Sequence, residues 1–157
     1  MNQTYALGVK EVWKVPDEKF KRGYIQHSVG WPLGMKNGGG TFLYHKDDNE
    51  VHVGMVVALD YKNPYLSPYK ELQRSKLHPS IKTHLEGGEC ISYGARTINE
   101  GGYYAIPKLT FPGGLMVGCG AGFLNVPKIK GSHNAIKSGM VAAEEIVKAL
   151  DRDDSPG

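Results

Sequence analysis

Apolar and polar residues alternate from Val9 to Val15 (Val9, Glu11, Val12, Trp13, Val15), the period of a strand with one buried face, and Pro16-Asp17 ends it. Tyr24 to Val29 forms a second short strand, stopped by Gly30-Trp31-Pro32. Gly38-Gly39-Gly40 is a turn, and Thr41 to His45 is a third strand rich in β-formers. Asp47-Asp48-Asn49 supplies hairpin-turn residues, so Val51 to Leu59 pairs back as a fourth strand. Short turns between consecutive strands imply an antiparallel sheet. The period then changes. Ser67-Pro68 has the form of an N-cap followed by proline at the first helical position, and the helix runs through Tyr69, Leu72 and Leu77 until His78-Pro79. A second short helix carries Ile81 and Leu85 on one face and ends at Gly87-Gly88. Cys90 to Ile98 is a further strand.

The C-terminal third has a different pattern. An irregular stretch from Glu100 passes Pro107 and Pro112-Gly113-Gly114. Leu115-Met116-Val117 is a short apolar run of the kind that forms a strand buried on both faces. A helix from about Ser132, its expected N-cap, to Leu150 follows, with the stripe Ile136, Met140, Ala143, Val147 and Leu150. The expected class is therefore α+β: an antiparallel or mixed sheet with a helical pair, then a strand–loop–helix of α/β type. There are no internal repeats.

Composition narrows the function classes. Glycine makes up 21 of 157 residues, about 13% and roughly twice the usual share, in pairs and triplets between apolar runs. Glycine so placed marks tight turns and close approach of backbone to a ligand. The net charge of +3 is a weak bias, with no basic stripe for nucleic acid. Cys90 and Cys119 lack CxxC spacing, which suggests a reducing compartment, and two thiols cannot hold an iron–sulfur cluster, which takes about four. The six histidines form no metal-ligand spacing. No apolar run reaches the roughly 18 residues of a membrane-spanning helix. The N-terminus has neither a secretory nor a mitochondrial targeting pattern, and it enters a strand almost at once, as a piece of a longer chain would.

The segment Gly118-Cys119-Gly120-Ala121-Gly122-Phe123-Leu124-Asn125-Val126-Pro127-Lys128-Ile129-Lys130-Gly131-Ser132 carries the most chemistry. It matches neither GxGxxG nor the P-loop pattern. A glycine-rich loop leading to a helix N-terminus nevertheless offers backbone amides and about half a positive charge. Such a site suits a phosphate, a carboxylate or the electron-rich C2 carbonyl side of a flavin. A plain strand–helix connection remains the alternative. Cys119 reads equally as a cofactor contact or as a small buried hydrophobe.

From Ala6 to about Leu150 the chain resembles electron-transfer flavoprotein–ubiquinone oxidoreductases. The resemblance rests on VGWPL (29–33), GGTFLYH (39–45), LDYKNPYLSPYKELQRSKLHPSI (59–81), LEGGECISYGARTINEGG (85–102), IPKLTFPGGLMVGC (106–119) and GFLNVPKIKGSHNAIKSGMVAAE (122–144). It covers well under half of a full-length member. It implies electron flow from reduced electron-transfer flavoprotein, through FAD and a 4Fe–4S cluster, to ubiquinone. The implied location is the matrix side of the mitochondrial inner membrane or a bacterial cytoplasmic membrane, with membrane contact made by regions outside this chain.

The same resemblance implies a division of the chain. Residues 1–13 would be a strand linking from an FAD domain, 14–112 a ubiquinone-binding domain, 113–150 the return of the FAD domain, and 151–157 a disordered tail. Gly39 and Gly40 match the family's backbone contact to the quinone head group. Gly118, Cys119, Gly122, Asn125, Val126, Pro127, Gly131 and Ser132 match one wall of the FAD site. Three departures stand out: Gly38 where a tyrosine is usual, Gly120-Ala121 in place of Ser-Pro, and Cys119 where many related flavoproteins carry aspartate. With no GxGxxG and no cluster cysteines, the chain is expected to be inactive alone. A non-catalytic quinone-binding module or split subunit, a fragment of another flavoprotein hydroxylase or reductase, and a purely structural module are the alternatives.

Overall fold

A computed structural model describes residues 2–152. The chain divides into two compact units. One is Ala6–Thr97; the other joins the first described residues, through Tyr5, to residues 98–152.

The first unit is built on a five-stranded sheet: β1 (Tyr5–Lys14), β2 (Ile25–Ser28), β3 (Gly39–His45), β4 (Glu50–Ala58) and β5 (Glu89–Asn99), in the order β2-β3-β4-β1-β5. The β2–β3, β3–β4 and β4–β1 pairs are antiparallel, as the short turns require. Register puts Thr41, Leu43 and His45 of β3 on the same face as Val51, Val53, Met55 and Val57 of β4, and Val9, Glu11 and Trp13 of β1 continue that face. Most of these side chains are buried, and each large apolar one contributes on the order of 2 kcal/mol.

Helices α1 (Pro68–Ser75) and α2 (Pro79–Leu85) close that face. The Ser67 side chain accepts from the Lys70 amide at 3.4 Å and Pro68 opens the helix, as expected. Leu72 packs with Val9, Leu33, Met55 and Val57, while Ile81 and Leu85 pack with Val15, Leu43, Val51 and Val53. The first helix is shorter than its apolar spacing suggested. It ends at Ser75, and Leu77 lies beyond it, exposed. Pro79 biases the residue before it away from helix, so the chain turns early.

Glu11 occupies an interior position of β1. Its carboxylate accepts from Trp13 Nε1 (2.8 Å), Gln73 Nε2 (2.8 Å) and Lys76 Nζ (2.6 Å), and the ammonium also lies 4.8 Å from the centre of the Trp13 ring. Burial alone would raise its pKa; the hydrogen bonds from Lys76, Gln73 and Trp13 outweigh it and hold the carboxyl below its ordinary value.

In the second unit, β6 (Thr110–Phe111) and β7 (Gly114–Leu115) form a small hairpin, and α3 (Ser132–Asp151) is the long helix. Two expectations are corrected here. Leu115-Met116-Val117 is not a strand buried on both faces: β7 stops at Leu115, and Met116 and Val117 are exposed. Nor is Ser132 the N-cap. Gly131 holds that position and Ser132 is the first helical residue, with no side-chain cap. The stripe Ile136, Met140, Val147 and Leu150 is exposed, while Asn134, Ala135, Ser138, Ala142 and Ala149 are half-buried. The helix runs to Asp151; the remainder of the tail, 153–157, lies outside the described residues.

Candidate functional site

Gly39 and Gly40 open β3. Both pair with β4, opposite Val57 and Val56, but pairing with β2 begins only at Thr41. The glycine pair therefore lies beyond the end of the β2 ladder, with Gly39 exposed and Gly40 half-buried. On the β2 side the two glycines have no register partner in the ladder.

The structure also gives a reason for glycine that the sequence did not. Gly39 has φ +137°, and a Cβ there would collide with the Val56 carbonyl oxygen and come within 2.9 Å of Leu33 Cδ1. A Cβ on Gly40 would collide with the Ser28 carbonyl oxygen. The sheet itself excludes side chains at both positions, with or without a ligand. At Gly38, a Cβ would sit 3.0 Å from the Ala58 Cβ, a fit that needs a small shift.

The glycine-rich segment in the other unit folds as two turns. Gly118 (φ +71°) leads a single 3-10 turn over Cys119–Ala121, which ends at Gly122 (φ +92°). The Gly118 amide donates to Ser138 Oγ of α3 at 2.9 Å, which pins the loop to the helix. Asn125 pairs through its backbone with Lys130 (3.0 and 3.2 Å), and its Oδ1 accepts from the Lys128 amide at 3.1 Å. Between them Ile129 has φ +55°, a conformation that a β-branched residue rarely takes.

Four of the eight candidate flavin residues come together. Gly122, Asn125, Val126 and Pro127 line one cavity of about 540 Å³. Gly118, Cys119, Gly131 and Ser132 do not line it. Cys119 is exposed, which corrects its reading as a buried hydrophobe; its sulfur lies 2.8 Å from where a Cβ on Gly131 would stand.

Tyr103, Tyr104 and Asn134 share the cavity and were missed from sequence. The two tyrosines meet edge to face at 5.5 Å and are both largely exposed. The signal was present: an aromatic pair directly after Gly101-Gly102, where Gly102 takes φ +71° to turn the chain. Asn134 Nδ2 donates to the Phe123 carbonyl at 2.9 Å and fixes the cavity edge to the first turn of α3. That turn holds no acidic residue, so its amide dipoles are unopposed by charge there. Glu100, just before the cavity glycines, is pushed up by burial. Among the described residues no cluster of three or more His, Cys, Asp or Glu side chains forms a metal site.

The cavity wall joins the backbone of Gly101, Gly102 and Gly122 to the Asn125–Pro127 turn and the two tyrosines, a lining that can take one edge of a flat ring. The chain does not fit the cluster: its two cysteines, Cys90 and Cys119, are separate and exposed, and about four thiolates are required.

The sequence model described as ETF-QO, ubiquinone-binding, matches residues 5–98, close to the bounds of the sheet unit. Among curated relatives, the mitochondrial electron transfer flavoprotein-ubiquinone oxidoreductase of Rattus norvegicus is 60% identical over 94% of this chain and 24% of its own length. Those of Oryza sativa subsp. japonica and Homo sapiens are both 58% identical, over 95% and 94% of this chain. The chain spans about a quarter of the length of these relatives. Among solved structures, a geranylgeranyl bacteriochlorophyll reductase-like protein from Thermoplasma acidophilum shares the fold, with a TM-score of 0.74 and 22% identity over 99% of this chain and 36% of that one. This chain belongs to the electron transfer flavoprotein–ubiquinone oxidoreductase family, and its sheet unit is the part that the family's ubiquinone-binding domain matches.

Proposed function

We propose that this chain is the quinone-side part of an oxidoreductase that carries electrons from reduced electron-transfer flavoprotein, through FAD and a 4Fe–4S cluster, to ubiquinone. The observation that carries the reading is Gly39-Gly40 beyond the end of the β2 ladder, inside the segment matched as ubiquinone-binding. There the backbone N–H and C=O groups bind and orient the quinone head group. Gly122, Asn125, Val126 and Pro127 form part of the FAD wall, with Gly118, Cys119, Gly131 and Ser132 supporting the loop behind them. FAD, when bound, supplies electron transfer in single steps or pairs. The start of α3 favours negative charge on the ring edge it faces. The cluster ligands, the nucleotide cradle and the contact with the inner membrane, on the matrix side, belong to the rest of the whole protein.

Alone, the chain is expected to bind a quinone and not to turn over. A melting experiment with a short-chain ubiquinone analogue tests this: the transition should rise with ligand concentration by mass action. Retention of FAD after desalting would show that the wall suffices as a cofactor site. No shift with quinone would remove the binding claim, and quinone reduction by the chain alone would remove the claim that it is incomplete.

A further inference from the structure

His45 ends β3 and is 2% exposed; His84 lies half-buried on α2. The Lys21 amide donates to His45 Nδ1 at 3.0 Å, and His45 Nε2 lies 3.1 Å from His84 Nδ1. An amide N–H can only donate, so His45 Nδ1 carries no proton. The ring proton of His45 is therefore on Nε2, which donates to His84 Nδ1. His84 then holds its own proton on Nε2. This relay accepts two neutral rings and nothing else. A proton added to His45 would go to Nδ1 and oppose the Lys21 N–H. A proton added to His84 would go to Nδ1 and oppose His45 Nε2–H.

The surroundings reinforce neutrality. Tyr24 stacks on His84 with ring centres 4.8 Å apart and meets His45 edge-on at 5.4 Å, and Phe20 packs against His45 at 5.7 Å. The charged groups on the segments around the pair are Asp17, Glu18, Lys19, Lys21 and Arg22 before β2, Lys46 and Asp47 after β3, and Lys82 and Glu86 at α2. Glu86 is held by Lys19 and Lys82, at 3.4 and 3.7 Å, Asp47 by Arg22 at 2.8 Å, and Asp17 accepts from Asn49 Nδ2. Among the described residues no carboxylate is hydrogen-bonded to or ion-paired with either ring.

The pair joins three segments far apart in sequence. His45 also accepts from the Gly23 amide (3.0 Å) and donates its own amide to the Tyr24 carbonyl (2.9 Å), so the chain before β2 is fastened to the end of β3 by backbone and ring together. We propose that His45 and His84 are a proton-operated latch: with both rings neutral it clamps α2 and the Lys21–Tyr24 segment to β3, and one proton opens it. The device sits at the opposite end of β3 from Gly39 and does not depend on a quinone.

Amide hydrogen exchange of the full chain at about pH 7.5 and about pH 5.5, corrected for the intrinsic rates, reads the latch directly. Protection of the Lys21 amide and of α2 should fall by about tenfold or more on acidification. The double variant His45→Gln/His84→Gln keeps donors and acceptors without titrating, and its Lys21 protection should be insensitive to this change. Ring ¹⁵N shifts of the wild type give an independent reading that needs no variant. They should show His45 as the Nε2–H tautomer and both rings neutral at about pH 6.5. Either ring charged at that pH, or both rings titrating while Lys21 protection holds, would overturn the latch.

Discussion

Single positions in this chain separate geometric demand from ligand demand. Gly39 and Gly40 cannot take a Cβ without striking carbonyl oxygens of neighbouring strands. Gly39→Ala or Gly40→Ala should cost about 2–4 kcal/mol in urea denaturation. Gly94→Ala and Gly120→Ala, with open space around them, should stay within about 0.5 kcal/mol. Loss of quinone binding in the first pair would thus report a damaged strand, so those variants are poor probes of the site. Ile129 gives the converse case. It takes φ +55° with an exposed side chain, so Ile129→Gly should stabilise by about 1 kcal/mol in the same assay. At Glu11 the carboxylate is buried with three donors. Lys76→Met leaves that charge without its counter-ion and should cost about 3 kcal/mol, while a melt that is unchanged would show that Gln73 and Trp13 suffice.

At the scale of elements, pH acts through the histidine relay. Burial, and then the charge of His84, lower the His45 pKa; burial, and then Lys19, lower that of His84. The unfolded chain binds these protons more readily than the folded one, so their contribution to stability is complete above the ordinary histidine value of 6.5. It declines as pH falls below that value toward the lowered folded pKa values. Denaturation midpoints measured across that window should drop on acidification, and a flat profile would contradict the assignment.

Strands β1, β3 and β4 and the helices α1 and α2 were legible in the sequence because each buries one face and carries its own punctuation: Asp47-Asp48-Asn49 at the hairpin, Ser67-Pro68 and Pro79 at the helix starts; β2 and β5 bury no residue and were legible from the turn residues that bound them, Gly30-Trp31-Pro32 and Gly87-Gly88. What failed lies where pattern and cover separate. Leu115 to Val117 is apolar, yet periodicity does not say what would bury it. The α3 stripe follows helical spacing, but the half-buried side is the one with Asn134, Ser138 and Ala142, because the small residues allow close approach. Glu11 and His45 were readable as polar residues at interior positions; their partners, brought from 62 and 39 residues away, were not.

For the whole molecule, apolar surface is the salient feature. Ile91 and Tyr93 on β5, and Ile136, Met140, Val147 and Leu150 on α3, are exposed in a chain that spans about a quarter of its relatives' length. Surfaces of this kind associate in water, and an open strand edge adds to the tendency. Sedimentation velocity should show association that rises with protein concentration, and Ile91→Lys should reduce it.

The most direct test of the central claim is a map of backbone amide shifts in the isotope-labelled chain as a short-chain ubiquinone analogue is added. If Gly39-Gly40 is the head-group contact, saturable shifts will centre on Gly39, Gly40 and the Leu33 loop packed against them. Shifts that centre elsewhere, or none at saturating ligand, would contradict the assignment of the quinone site to the start of β3.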